Sequence, residues 1–168
     1  MRCLPMLQRG QPNLQIVVVG QDGHSYGPPP PPEASSWKEL MIQELSDRVN
    51  WDQVHFTGHL AYEQLLQLFQ VTQAHVYLTY PYVLSWSLLE AMACGATIIG
   101  SQTAPVQEVI DHGVNGWLVP FFDSDALADQ ILKIVNQPID QTISLKARQT
   151  IAQGYNVGDC TTRMIQLL

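Results

Sequence analysis

Cysteine, basic side chains and long apolar runs are all scarce in this 168-residue chain, and each scarcity removes a class of protein. The three cysteines, Cys3, Cys94 and Cys160, are odd in number, far apart and without a C-x-x-C pair, which argues against a disulfide framework and a structural zinc site. A reducing cytoplasm is the expected setting. No stretch reaches the roughly 18 consecutive apolar residues of a membrane span, and Met1 to Gly10 lacks the apolar centre of a secretory signal. Eight Lys and Arg against 15 Asp and Glu leave a net charge of −7, with the basic residues scattered from Arg2 to Arg163. No patch for a polyanion results, so nucleic acid is not an expected partner. His55 and His59 bracket a strand end and a glycine rather than one helical face, so no metal is expected.

What is present suits one domain, long enough to bury about 70% of the surface its unfolded chain exposes. Short apolar strands alternate with helical stretches, the pattern of a parallel sheet covered by helices on both faces. Strands are expected at Leu14 to Val19, Val54 to Thr57, Ala74 to Tyr80, Thr97 to Gly100 and Trp117 to Val119. Helices are expected at Trp37 to Arg48, Tyr62 to Val71, Ser87 to Cys94, Pro105 to Asp111, Ser124 to Asn136 and Ile143 to Gln153. The run Pro28 to Pro32 reads as a stiff, extended surface loop. Ligands of such sheets sit beyond the carboxyl ends of the strands. That rule selects the loops Gly20-Gln21-Asp22-Gly23, Gly58-His59-Leu60 and Pro81 to Ser85.

Residues 78 to 101 carry the most chemistry: a strand end stopped by Pro81, a tight loop, a helix starting near Ser85 or Ser87, and a second strand after Gly95. A helix N-terminus presents about four unpartnered amides and roughly half a positive charge, so it can hold phosphate oxygens without a lysine. Glu90, one turn in, can then take both hydroxyls of a ribose. Ser87-Leu88-Leu89-Glu90 is equally a capping box, in which Glu90 only folds back onto the Ser87 amide. Cys94, near the negative end of the same helix, reads as a structural thiol.

Leu89-Glu90-Ala91-Met92-Ala93-Cys94-Gly95-Ala96 resembles the LEAMA-x-G-x core of the retaining glycosyltransferases with two Rossmann-like domains, family four or "group one". The strand Thr97 to Ser101, the stretch Pro105 to Ile110 with Glu108, and the turn Asp111-His112-Gly113-Val114-Asn115-Gly116-Trp117-Leu118-Val119 follow in the family's order, with His112 an insertion. Ala147-Arg148 and Tyr155 are similar to its closing segment. The resemblance implies an α/β fold, a Rossmann-like parallel sheet forming the C-terminal half of a two-Rossmann-domain glycosyltransferase.

It further implies a donor site for a nucleotide-diphosphate sugar and no cofactor. Glu90 would hold the ribose, the Leu84 and Ser85 amides beside Val83 the diphosphate, Tyr82 the sugar or its approach, and the loop with His59 and Leu60 the base, while Gly20 either lets the backbone approach the ligand closely or simply makes a turn. Two departures stand out. The family's first Glu, eight positions before Glu90, is Tyr82 here, and the Gly-Phe-Gly that follows it is Val83, Leu84, Ser85. The family's opening strand and its Arg and Lys loop are also absent, and Met1 to Gln11 reads as the end of the helix that follows them. The expectation is a fragment or a misplaced start, lacking the first strand and the N-terminal acceptor domain and inactive alone. No catalytic base can be named; the sugar, the base, the acceptor and any peripheral membrane contact stay open. The alternatives are a noncatalytic nucleotide-binding or protein-interaction module, and an inactive fragment.

Overall fold

Pro5 is tolerated in the first turn of α1 (Leu4–Gly10), where the amide it lacks would have no intrahelical partner, and the helix buries Leu4 and Leu7. The computed structural model describes residues 1–23, 27–80, 83–138 and 140–166. They form two compact units, Met1–Tyr62 and Glu63–Leu168.

In the first unit β1 (Ile16–Val19) runs parallel to β2 (Val54–Gly58), with Ile16 opposite Val54 and an irregularity between Val18 and Val19. The crossover contains α2 (Trp37–Leu45), whose start is fixed by two serines. Ser36 Oγ accepts the Glu39 amide at 3.1 Å, and the Glu39 carboxylate accepts the Ser35 amide at 2.6 Å. The same carboxylate takes the Ser35 hydroxyl, and these bonds hold its pKa below the ordinary glutamate range. Trp37 Nε1 donates to the Pro28 carbonyl at 3.0 Å, so the proline run is tied down at its first residue. Helix α2 ends at Leu45, three residues earlier than expected.

The second unit opens with α3 (Tyr62–Val71), whose first residue lies at the boundary, and continues through β3 (His75–Tyr77), α4 (Trp86–Cys94), β4 (Ile98–Ser101), α5 (Ala104–Gln107), β5 (Trp117–Val119), α6 (Ser124–Val135), α7 (Gln141–Gly154) and α8 (Val157–Ile165). Its three strands are parallel, in the order β3-β4-β5. Every residue of the central strand β4 is buried, as a strand covered on both faces requires. Against it pack Leu88, Ala91 and Met92 of α4, Val106 of α5 and Ala147 of α7. Gly100 makes the approach of α5 feasible: a methyl group there would lie 2.8 Å from Val106 Cγ1 and 3.2 Å from Ile110 Cδ1.

The strands pair as expected in parallel, β1 with β2 in the first unit and β3-β4-β5 in the second. Strand β3 is shorter than Ala74 to Tyr80. Beyond Tyr77 the ladder is replaced by a side chain, since the Ser101 hydroxyl accepts the Thr79 amide at 3.1 Å and donates to the Thr79 carbonyl at 3.0 Å. Helix α5 stops at Gln107, after which the Val109 and Ile110 amides both turn to the Val106 carbonyl. Helix α8 was not expected. Its cap is Asn156, whose Oδ1 accepts the Asp159 amide at 2.9 Å.

Candidate functional site

The bend before α4 is built from both sides. Tyr77, the last residue of β3, packs its ring against the core of the second unit. Its phenolic oxygen accepts the Ser85 amide at 3.0 Å. Ser85 is held extended (φ −84°, ψ 143°) and serves as N-cap, its Oγ accepting the Ser87 amide at 3.2 Å and lying 2.8 Å from Ser87 Oγ. Its carbonyl accepts the Leu88 amide at 3.2 Å. The far end of α4 closes on Gly95 at φ +83°, a conformation that strains any residue with a Cβ, and there Arg148 of α7 lies across it with its Cδ 3.1 Å from where that Cβ would be.

Three consequences follow for the expected site. First, the capping box of Ser87 and Glu90 does not form, because Ser87 is already inside the helix and Ser85 is the cap. Second, the Ser85 amide, expected to meet phosphate directly, is already given to Tyr77. The Leu84 amide makes no hydrogen bond to another described residue. Third, Glu90 is half-buried on α4, one turn before Cys94. The Cys94 thiol is pushed up by its burial and then by the Glu90 charge, with the Arg148 guanidinium acting in the opposite sense. Such a thiol stays protonated and is a poor nucleophile.

The remaining expected residues lie in the first unit. The Gly20 amide donates to the Gly58 carbonyl at 2.9 Å, which joins the loops after β1 and β2, and His59 is exposed beside a half-buried Leu60. His55, four residues before His59, is occupied by Gln15 Oε1 at 2.8 Å. The site residues thus fall into two groups: Gly20, His59 and Leu60 in one unit; Val83, Leu84, Ser85 and Glu90 in the other. Pro81 and Tyr82 lie outside the described residues. A cleft of about 550 Å³ in the second unit is lined by Gln102, Gln107, Ile110, Asp111, His112 and Leu118, and includes none of them.

Two structural contributors were missed by sequence reasoning. Tyr77 holds the bend from eight residues away, and only its place at a strand's carboxyl end hinted at this. Asn115, 5% exposed, ties the turn before β5 to α7 through Thr150. It lies within the turn motif Asp111 to Val119, where it was given no role of its own.

Residues 2–156 match the family described as glycosyl transferases group 1. An N-acetyl-alpha-D-glucosaminyl L-malate synthase of Bacillus anthracis is 33% identical over 69 residues, 40% of this chain and 18% of that protein. The amylovoran biosynthesis glycosyltransferase AmsK of Erwinia amylovora is 35% identical over 71 residues, 42% of this chain and 17% of that protein. Among solved structures, Anabaena HepE in complex with UDP superposes with a TM-score of 0.81 over 99% of this chain at 23% identity, a likeness of fold. The same protein has been solved with UDP-glucose. The chain spans 44% of HepE, so less than half of that protein has its counterpart here. With a Rossmann-like α/β fold, the motif helix α4 and a family match over nearly its full length, the chain belongs to the glycosyl transferases of group 1.

Proposed function

We propose that this domain binds the donor of a retaining glycosyltransferase, a nucleotide-diphosphate sugar whose sugar passes to an acceptor hydroxyl. The observation that carries the reading is the start of α4, where a serine-capped helix of nine residues follows a strand's carboxyl end with Glu90 one turn inside it. The diphosphate sits against the positive end of the helix, and the fixed dipoles there stabilise the charge that develops as the sugar leaves. Glu90 takes the ribose hydroxyls. That HepE was crystallised with UDP and with UDP-glucose supports a uridine nucleotide as the first to test.

Thermal unfolding in UDP, GDP and ADP tests the reading. A nucleotide at 100 times its dissociation constant adds about 2.7 kcal/mol, which raises Tm by roughly 5–10 °C in a domain of this size. Glu90→Ala removes two hydrogen bonds to a charged group and weakens binding about a hundredfold, for roughly 3 kcal/mol. No stabilisation by any of the three at millimolar concentration, or an affinity that Glu90→Ala leaves intact, overturns it.

A further inference from the structure

We propose that Tyr77 is a ligand-binding residue of this site, accepting the Ser85 amide and passing its own phenolic proton to a phosphate oxygen of the nucleoside diphosphate. The inference rests on the donor-site reading and deepens it.

Ser85 N–H approaches Tyr77 Oη at 3.0 Å, so the phenol acts as acceptor in that bond. A phenol has one proton to give as well, and that proton has no acceptor among the described residues. Accepting an N–H polarises the O–H and makes it a better donor. A half-buried hydroxyl can give its proton to solvent in the free protein, and a phosphate oxygen of the ligand takes the place of that solvent. The ring is packed against the core formed by Leu88, Met92 and their neighbours, so its orientation is set before a ligand enters.

The charge balance points to the same role. Residues 77 to 95 contain no Lys or Arg, and the chain as a whole carries −7. Within this segment an anionic diphosphate therefore meets only neutral donors. The Ser85 amide, unavailable for direct contact, acts through the phenol, and a hydrogen bond from O–H to a phosphate oxygen is charge-assisted. No bond is made or broken in this role, and the proton stays on the phenol.

Tyr77→Phe tests it, since the substitution keeps the ring and deletes only the oxygen. Affinity is measured by NMR titration of the chain with whichever of UDP, GDP and ADP the wild type binds most tightly, and with the matching nucleoside, which has no phosphate. The expected result is a loss of about ten- to a hundredfold for the diphosphate and an unchanged affinity for the nucleoside. Amide spectra of the free variant report whether the fold is kept, and Tyr77→Met, which also lacks the hydroxyl, must reproduce the selective loss. Equal losses for both ligands mean that Tyr77 only supports the bend; no loss for either means that it plays no part. Both outcomes overturn the proposal while leaving the donor site standing. A wild type that binds no nucleotide removes the donor site, and this role with it.

Discussion

Asn115 offers the most direct test of how the second unit is held together. Its Oδ1 accepts the Asp111 amide at 2.8 Å, and its Nδ2 donates to the Val109 carbonyl and to Thr150 Oγ1, each at 3.0 Å. The side chain is 5% exposed. Asn115→Ala strands one backbone donor and one backbone acceptor, at about 1–2 kcal/mol each. The vacated space adds roughly 1 kcal/mol. Thr150 loses less, because its hydroxyl also donates to the Lys146 carbonyl at 3.0 Å. The sum is about 3–5 kcal/mol. At roughly 3 °C per kcal/mol for a chain of this size, Tm should fall by about 9–15 °C, read by circular dichroism at neutral pH. Thr150→Val, which removes a single partner, should cost only about 1 kcal/mol. A drop below about 3 °C for Asn115→Ala would mean that water already serves these groups, and the reasoning would fail.

Two further substitutions probe neighbouring contacts. Gly100→Ala places a methyl 2.8 Å from Val106 Cγ1 in a fully buried core. A cost of about 1–3 kcal/mol should lower the urea midpoint without changing m, and an unchanged midpoint would show that α5 moves aside freely. His75 sits edge-on to Phe69 with ring centroids 4.9 Å apart, and burial lowers its pKa from 6.5 to about 4. The unfolded chain therefore takes up the proton first as pH falls. The stabilisation is complete above pH 6.5 and is lost on acidification toward pH 4. It amounts to roughly 3 kcal/mol when fully developed. In His75→Leu this component should vanish, so the stability difference between pH 7 and pH 4.5 should be smaller than in the wild type by urea titration; equal differences would refute it.

Elements whose cause is local were readable from the sequence. Tyr62–Val71 and Trp117–Val119 were placed to the residue. So was the start of α6, where Asp123 accepts the Asp125 and Ala126 amides. Elements whose limits are set by distant groups were not. The apolar run through Tyr80 reads as strand, yet the Ser101 hydroxyl, 22 positions on from Thr79, takes both of its backbone groups and ends the ladder. Helix α8 was not expected, although Asn156 and Asp159 mark its start; Gly158 and two threonines lower its intrinsic propensity. Val157, Cys160 and Met164 recur at helical spacing, yet none of its residues is buried.

The site shows the same division at the scale of one hydrogen bond. Ser85 and Ser87 are equally good caps by residue type, and the choice between them decides what Glu90 can do. With Ser87 as cap, the Glu90 carboxylate is the natural partner of that serine's own amide. With Ser85 as cap, Glu90 lies within the helix beyond the reach of such a box. Nothing between residues 85 and 90 settles this. The deciding contact comes from Tyr77, whose phenol takes the Ser85 amide and keeps that residue extended, so the helix begins at Trp86. Local pattern therefore located the helix and its carboxylate, while the contact that accompanies Ser85 as the cap comes from the strand end packed beside them.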